Sequence, residues 1–283
     1  MANIPQKVAD QFVAGIKKFQ PILTAAQAHD ANESDTVIII TDMLSEIFGY
    51  DKYKEITSEK CIRGTFCDLS IKVDDITQSY IEAKAINQEL KENYVKQAVD
   101  YAVNGPIDWV VLTNGIHWRI FKVIFSKPVD HELVVDINFL ELNHHNASDL
   151  ETLYLFTRES WAKSALNDFY EQKQALSRFS IGAVLLTDPV LTIVKRELKR
   201  ISPDVKIDTD QIRFVLEQEV LKREVVECEK ADEARKRIAR VANKALRNKT
   251  EKNSADENIS DQKPSSEVSQ PTATATLVSP PPN

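Results

Sequence analysis

The chain contains few glycines, and this scarcity excludes the common nucleotide-binding loops. Only 6 of its 283 residues are glycine, and no two of them have the spacing of a GxxxxGK[ST] or a GxGxxG motif. Both motifs need glycine where the backbone closely approaches a phosphate. We therefore expect neither a nucleotide-driven motor nor a nucleotide cofactor.

Long apolar runs are also missing. No run exceeds four residues, as at 37–40, whereas a membrane-spanning helix needs about 20 mostly apolar residues. The opening MANIPQKVADQF has no basic segment followed by an apolar one, so it does not resemble a secretory signal. We expect no membrane association and a cytoplasmic location.

Cysteine is scarce and irregularly spaced. Cys61, Cys67 and Cys228 form no CxxC pair, so neither a disulfide framework nor a zinc site is indicated. We expect three reduced thiols with structural roles.

Charge is unevenly distributed along the chain. Residues 1–194 carry 18 basic and 27 acidic side chains, residues 195–249 carry 16 and 11, and residues 250–283 carry 2 and 5. The last segment is rich in Ser, Thr and Pro, and it lacks the apolar residues that would offset the entropy lost on ordering. It is predicted to be a disordered tail.

Hydrophobic periodicity predicts helices at both ends of the chain and strands between them. Residues 1–29 are predicted to form an N-terminal helix, residues 30–148 the main domain and residues 149–249 a helical region. Within the main domain, one helix that begins at Asn32 is followed by strands at 66–73 and 79–85, a helix at 89–103, and strands at 108–112 and 116–123. This order predicts an α/β fold with a mixed sheet flanked by helices.

The C-terminal part of the helical region is unusually basic. Asp208 is typical of a helix start, and one charged helix is predicted from there to Arg247. Residues 230–249 carry eight basic and two acidic side chains. They fit either a solvated helix end, where cations are favoured by the helix dipole, or a contact with nucleic-acid phosphates.

Three charged residues are predicted to lie together on two paired strands. Glu82 and Lys84 are two positions apart in SYIEAKA, so their side chains leave the same face of a strand. A turn at 74–75 pairs this strand with the one that carries Asp68. Two carboxylates at one sheet edge form the oxygen-only site that Mg²⁺ prefers, and a neighbouring ammonium can orient water or stabilise phosphate charge. Taken alone, Glu-x-Lys also fits an exposed ion pair.

The order Asp68, a thirteen-residue gap and Glu82-Ala83-Lys84 resembles the Asp…Glu-x-Lys signature of the PD-(D/E)XK nuclease superfamily. Residues 30–125 are similar to the N-terminal endonuclease domain of type I restriction enzyme R subunits. The similarity includes NESDT before a helix that ends in FGYD, and the strand pair DWVVLTNGIHWRIFKV. The resemblance implies a restriction-endonuclease-like fold and Mg²⁺-dependent hydrolysis of DNA phosphodiester bonds, with Mn²⁺ as a substitute for Mg²⁺.

The resemblance also implies individual roles at the paired strands. Asp68 and Glu82 would bind the metal, and the carbonyl of Ala83 would be a third ligand. Lys84 would position the attacking water.

The resemblance implies further roles for residues of the neighbouring helices. Gln97 and Tyr101, which share one helical face, would contact the DNA backbone or orient the site, although the same pattern also fits a helix that packs its Tyr into the core and exposes its Gln. Glu33 would be the acidic residue of the early helix, although an acid at this position also suits a helix N-terminus. Glu46 is an alternative candidate.

The R subunits continue into an ATP-driven DNA translocase, and the 283 residues here contain no such motor motif. The resemblance therefore implies a stand-alone nuclease in restriction or host defence. A targeting protein or a second copy is expected to bind through residues 150–249. Two alternatives stay open, namely a non-catalytic adaptor that acts through the helical C-terminal half, and a nuclease for RNA or single strands.

Overall fold

The computed structural model describes residues 4–62, 65–105 and 107–257. The chain forms two compact units, residues 1–174 and residues 175–283. They are called the first unit and the second unit below.

The first unit is a six-stranded mixed sheet flanked by helices. The strands lie side by side in chain order, and all neighbours are antiparallel except β3 and β4, which are parallel. The strands are β1 (Ile56–Ile62), β2 (Thr65–Val73), β3 (Ile76–Ala83), β4 (Trp109–Thr113), β5 (His117–Ile124) and β6 (Asp130–Asn138). The helices are α1 (Gln6–Ala28), α2 (Glu33–Glu46), α3 (Glu92–Asn104), α4 (Ala147–Tyr154), α5 (Arg158–Ala162) and α6 (Ala165–Ala175), with a 3₁₀ turn at Phe139–Glu141. The predicted α/β class with a mixed sheet is confirmed.

Turn chemistry and one helix set this strand order. Asp74 and Asp75 have φ angles of 51° and 64°, and two successive residues in the left-handed region form the tight turn that closes a twisted hairpin. β2 and β3 are therefore antiparallel neighbours. The helix α3 then returns the chain along the sheet, which is the connection that parallel neighbours such as β3 and β4 need.

Each face of the sheet packs on its own helices. Phe12 and Phe19 of α1 lie on one stripe of the helix and are buried in the larger hydrophobic cluster. Gly15 allows α1 to approach the end of α2 closely, since a Cβ there would lie 2.6 Å from Ile47 Cγ1. On the opposite face, α3 packs on the inner strands through a second cluster that includes Ala98.

The helices after the sheet also belong to the first unit. Trp109 of β4 makes edge contacts with Trp161 of α5 and Tyr170 of α6, with ring centroids 6.4 and 5.8 Å apart. Its Nε1 donates a hydrogen bond to Asn167 at 3.2 Å. The predicted boundary after residue 148 therefore lies inside the first unit, and so does the predicted separation of residues 1–29.

The sequence pattern predicts four strands, whereas the sheet has six. The two that it misses, β1 and β6, are the edges of the sheet. An edge strand keeps polar side chains on its solvent side, and the segments ITSEKCI and DHELVVDIN are accordingly polar. Polar residues make up more than half of each segment, whereas the central strand β4 reads WVVLT.

In the described part of the second unit, all secondary-structure elements are helices. Its elements are α7 (Arg178–Leu185), α8 (Asp188–Ile201), α9 (Thr209–Val215), a π-helical segment (Leu216–Val220), α10 (Arg223–Val226) and α11 (Glu229–Glu257). Asp208 caps α9 in a capping box with Gln211, which confirms the predicted helix start.

The prediction of one continuous helix from Asp208 to Arg247 is wrong. Leu221 and Lys222 have extended backbone angles, and the chain turns there. The turn lets Val225 pack on α7 at Gly182, where a Cβ would lie 2.6 Å from Val225 Cγ1. Because helices in proteins are stabilised chiefly by burial of one face, this packing overrides the local helical pattern.

The end of the described chain also differs from expectation. α11 extends to Glu257, so residues 250–257, predicted as the start of the disordered tail, are helical. Residues 258–283, the rest of the predicted tail, lie outside the described residues. Among the helices of the described ranges, none has both the length and the apolar character needed to cross a membrane.

Packing of α1 into the core yields a stability prediction. Phe12 is fully buried, whereas Ile22 on the same helix is 37% exposed. We expect Phe12→Ala to lower the free energy of unfolding by about 3–5 kcal/mol, because the favourable transfer of the ring from water to the core is lost and a cavity remains. Ile22→Ala should have a smaller effect. Urea unfolding followed by tryptophan fluorescence measures this in the first unit, which holds all three tryptophans. Equal, small effects of the two changes would contradict the core position of α1.

Candidate active site

The hairpin of β2 and β3 brings the predicted acidic residues together. Glu82 is the penultimate residue of β3, and Lys84 follows its last residue. Because side chains alternate along a strand, both lie on the face that α3 covers, while Ile81 belongs to the cluster on the α1 face. In the β2–β3 register Leu69 pairs with Ile81, which places Asp68 opposite Glu82.

The backbone at the end of β3 is held from both sides. The Asp68 carboxylate accepts a hydrogen bond from the Ala83 amide, with Oδ2 2.7 Å from the nitrogen. On the other side, the Lys84 amide donates to the Thr113 carbonyl of β4 at 2.9 Å. These two bonds fix the main chain between Glu82 and Lys84, from which both side chains project.

The ammonium of Lys84 lies among the oxygens of all the predicted acidic residues. Its Nζ is 2.7 Å from Glu82 Oε1, 3.4 Å from Glu33 Oε2 and 4.0 Å from Asp68 Oδ2. It also donates a 2.7 Å hydrogen bond to the Ala83 carbonyl. The structure thus gathers Asp68, Glu82, Ala83, Lys84 and Glu33 around one positive charge.

Glu82 is the buried acid of this group. Its side chain is 1% exposed, and within the described residues neither carboxylate oxygen has a hydrogen-bond partner of good geometry. The close contact with Lys84 is therefore mainly an ion pair. Burial raises the pKa of Glu82 to about 7, against the lowering effect of Lys84 and with a further rise from Asp68.

The environment shifts the other two charged groups in the same direction. Burial raises the pKa of Asp68, and the hydrogen bond from Ala83 and the charge of Lys84 only partly oppose this. Burial alone would lower the pKa of Lys84, but the neighbouring carboxylates of Glu82, Asp68 and Glu33 outweigh it and raise that pKa. Lys84 is therefore a firmly protonated cation.

Glu33 has a role at a helix start as well as a contact with the site. It is the first residue of α2, whose N-terminus is capped by Asn32. Its half-exposed side chain reaches Lys84. Glu46, the alternative candidate, lies at the far end of α2 and pairs with Lys18, so it is not part of the site.

Gln97 and Tyr101 form a polar pair on the face of α3 beside the site. Gln97 Nε2 donates a hydrogen bond to the Tyr101 hydroxyl at 2.8 Å. Burial raises the pKa of Tyr101, the bond from Gln97 lowers it, and the charges of Glu82 and Asp68 raise it further. Tyr101 is buried in the second hydrophobic cluster, whereas Gln97 is exposed.

The structure adds residues that sequence analysis missed. The ring of Tyr94 lies 5.3 Å from Lys84 Nζ, within range for a cation–π contact. Gln88 Nε2 donates a hydrogen bond to the Tyr94 hydroxyl. Asn114 Nδ2 in turn donates to the carbonyls of Ile86 and Gln88. A sequence signal for Tyr94 exists, since it precedes Gln97 by three positions and so shares its helical face.

The donor atoms fit a hard divalent cation. Asp68 and Glu82 offer carboxylate oxygens and Ala83 a carbonyl oxygen, which are the ligands that Mg²⁺ and Mn²⁺ take. In the described ranges, no group of three or more His, Cys, Asp or Glu side chains is arranged to hold a metal, so a metal bound here would need the Ala83 carbonyl as a third ligand. The Lys84 ammonium now makes the contacts with Glu82 and Ala83 that a metal ion would make.

Comparison with known proteins assigns no family to the chain, since no family model, curated protein or solved structure matches it. Function is therefore inferred from the site and from the resemblance of its motif.

Burial of Glu82 predicts a pH-dependent stability. The folded carboxyl keeps its proton up to about pH 7, whereas the unfolded one loses it near about pH 4.3. Folded protein binds more protons between these values, so its stability falls as pH rises through this window. Across this pH window we expect the free energy of unfolding of wild type to fall by on the order of 2–3 kcal/mol. Glu82→Gln has no carboxyl at this position, so this fall should be absent.

Urea unfolding in EDTA at pH values from 4.5 to 7.5 measures the difference. Glu89→Gln is the control, because Glu89 is exposed, and it should keep the wild-type profile. Parallel profiles of wild type and Glu82→Gln would contradict the burial effect.

Proposed function

We propose that this chain is a Mg²⁺-dependent endonuclease that hydrolyses DNA phosphodiester bonds, with a restriction-endonuclease-like fold and a role in restriction or host defence. Mn²⁺ would substitute for Mg²⁺. The proposed setting is the cytoplasm, where reduced thiols such as Cys67 and Cys228 persist.

One observation carries the proposal, namely the buried carboxylate of Glu82 beside Lys84 at the end of a strand. A buried charge without full hydrogen bonding is energetically costly, and strongly shifted carboxyl pKa values concentrate at functional sites. Asp68 and Glu33 add negative charge at the same point. This concentration of oxygens is suited to a cation and not to a surface ion pair.

The fold supports the same conclusion. The α2 helix, the β2–β3 hairpin, the α3 crossover and β4 form a mixed sheet flanked by helices, which is the architecture that the sequence resemblance implies. The predicted ligands lie on the hairpin, and the predicted backbone-contacting residues lie on α3.

Asp68, Glu82 and the Ala83 carbonyl would hold the metal. A Mg²⁺ ion bound there supplies a Lewis acid that stabilises negative charge on phosphate oxygens. Lys84 has three N–H donors, and its raised pKa keeps it protonated at neutral pH. It would therefore orient a water molecule and stabilise phosphate charge, and it would not act as a base.

The helix α3 supplies the groups beside the reacting atoms. Gln97 and Tyr101 would contact the DNA backbone or orient the site, as the resemblance implies. The ring of Tyr94 flanks Lys84 and would restrict where its ammonium can move. Glu33, half exposed, would accept from Lys84 when the ammonium leaves the Ala83 carbonyl.

Charge indicates that the first unit needs help to bind DNA. It carries 17 basic and 26 acidic side chains, a balance of −9, and duplex binding depends on phosphate neutralisation. A targeting protein or a second copy that binds through residues 150–249 is part of the proposal. Two copies would also allow cleavage of both strands.

A non-catalytic adaptor function has one observation in its favour. In its described part, the second unit exposes eleven large apolar side chains, among them Ile201 and Phe214. Exposed apolar surface of this extent favours a protein partner. An adaptor would need neither the metal nor Lys84.

Metal binding can be tested without activity. Saturation at ten times the dissociation constant stabilises a protein by about 1.4 kcal/mol, which raises Tm by roughly 3–6 °C for a unit of this size. We expect Mg²⁺ and Mn²⁺ to raise the Tm of wild type and not of Asp68→Asn. The control is Asp108→Asn, which also removes a lysine-paired carboxylate and should respond as wild type. Equal shifts in all three proteins would exclude Asp68 as a ligand.

Cleavage tests the proposed reaction directly. With supercoiled plasmid and Mg²⁺ or Mn²⁺, we expect nicking or linearisation that EDTA prevents and that Lys84→Ala reduces by about a hundredfold or more, as for loss of one transition-state donor. Lys122→Ala is a matched control. Lys122 also pairs with a carboxylate, at 2.8 Å from Asp108, and its Nζ lies 4.7 Å from the Trp109 ring.

The outcomes separate the alternatives. Equal loss in Lys84→Ala and Lys122→Ala would indicate general damage and not a role in the reaction. Wild type that is inert with every metal on duplex, single-stranded and RNA substrates would favour the adaptor function. Activity confined to RNA or single strands would replace DNA duplex as the substrate.

A further inference from the structure

The last helix carries its positive charge on one side. Residues 234–250 contain seven basic and no acidic side chains. At 3.6 residues per turn, Lys236 and Arg240 lie on the side opposite Ala231 and Ala234, and Arg237 lies at the edge of that side. Those two alanines are buried where α11 packs on α7, whereas the three cations are exposed.

This basic face is long. Lys230 is exposed and precedes Arg237 by seven positions, so it lies at the same edge of this side. From residue 230 to residue 240 the face is about 15 Å long.

Among the described residues, Lys236, Arg237 and Arg240 have no ion-pair partner. Among residues 230–241, only Arg235 forms an ion pair with a described residue, to Asp232 at 2.5 Å. Lys236 follows Asp232 by four positions and Arg237 follows Glu233 by four, yet neither pair forms within the described residues. Arg240 follows Arg237 by three positions, and like charges at that spacing destabilise a helix.

A helix that only faces water usually mixes charges of both signs. The repulsion along α11 would be relieved by a polyanion, and the first unit, with its balance of −9, cannot supply the cations that phosphates need. We infer that the basic face of α11 binds the phosphate backbone of double-stranded DNA. The inference takes DNA as the substrate from the proposed function and adds where that DNA is held.

The other basic helix of the second unit does not have the same character. On α8, Arg196 and Arg200 both pair with Glu197. Their neighbours Ile193 and Ile201 are exposed apolar side chains. Paired arginines beside exposed apolar side chains are better suited to a protein contact than to phosphates. Substitutions on α8 therefore serve as a control that removes the same number of positive charges.

The test is the salt dependence of DNA binding by the full chain. Fluorescence anisotropy with a labelled DNA duplex in EDTA, over a series of KCl concentrations, gives affinity and slope without cleavage. Each phosphate contact contributes about −0.9 to the slope of log K against log salt. The triple variant Lys236→Gln, Arg237→Gln, Arg240→Gln should therefore flatten the slope by about 2.7 and lower affinity at low salt by tenfold or more.

Two controls make the result specific. The α8 variant Arg196→Gln, Lys199→Gln, Arg200→Gln loses the same charge from the same unit and should bind nearly as wild type. The variant Arg237→Lys, Arg240→Lys keeps the charge and should retain the wild-type slope. Circular dichroism of each variant checks that helix content is unchanged.

Several results would overturn the inference. They are a wild type that does not bind duplex DNA, equal affinity and slope in wild type and the α11 variant, an equal loss in the α8 variant, and an α11 effect seen with duplex RNA alone. Failure of the nuclease proposal is distinguishable, because a chain that binds DNA through α11 but does not cleave it would contradict only that proposal. Cleavage with binding that is independent of α11 would contradict only this inference.

Discussion

The arrangement of the first unit depends on one pair of buried side chains, the carboxylate of Glu82 and the ammonium of Lys84. Glu82 and Lys84 are the two charged side chains buried in the described part of the chain, and removing charges from water is unfavourable unless oxygens and donors surround them. Three elements supply that environment. They are β2 with Asp68, α2 with Glu33 and α3 with Tyr94, and each must reach the end of β3. The hairpin turn, the close contact of α1 with α2 and the crossover by α3 bring them there.

Lys84 gives the site a cation of its own. Two carboxylates and a carbonyl close to one another repel, and the ammonium offsets that repulsion. Many small metal-binding domains fold only when their metal binds. In this chain the hairpin and its neighbours are held together by the hydrogen bond from the Ala83 amide to Asp68 and by the core beneath them. In the proposed function, ligand geometry and metal binding would therefore be separable events.

Local signals in the sequence predict those parts of the fold that depend on residues close together in the chain. The Asp74-Asp75 turn and the alternation around it predict the hairpin, and the two-residue spacing of Glu82 and Lys84 predicts their common face. The edge strands β1 and β6 are not predicted, since one side of each faces water and their composition is that of loops. Tyr94 is missed because an aromatic residue on a helix is usually read as core, and only the position of Lys84 reveals its contact. The break at Leu221 depends on Val225 meeting Gly182, a contact between residues more than forty positions apart, which periodicity cannot indicate.

Asn114 links two connections that are far apart in the chain. Its amide donates to the carbonyls of Ile86 and Gln88, and its Oδ1 accepts from the amides of Ile116 and His117. The turn between β4 and β5 is therefore part of the support of the segment behind Lys84. The connection between β5 and β6 has exposed residues such as Phe125 and Val129, and it does not support the segment behind Lys84. New chain ends or a fused domain would accordingly be accommodated at the β5–β6 connection, whereas the same rearrangement at Asn114 would release the segment that positions the lysine.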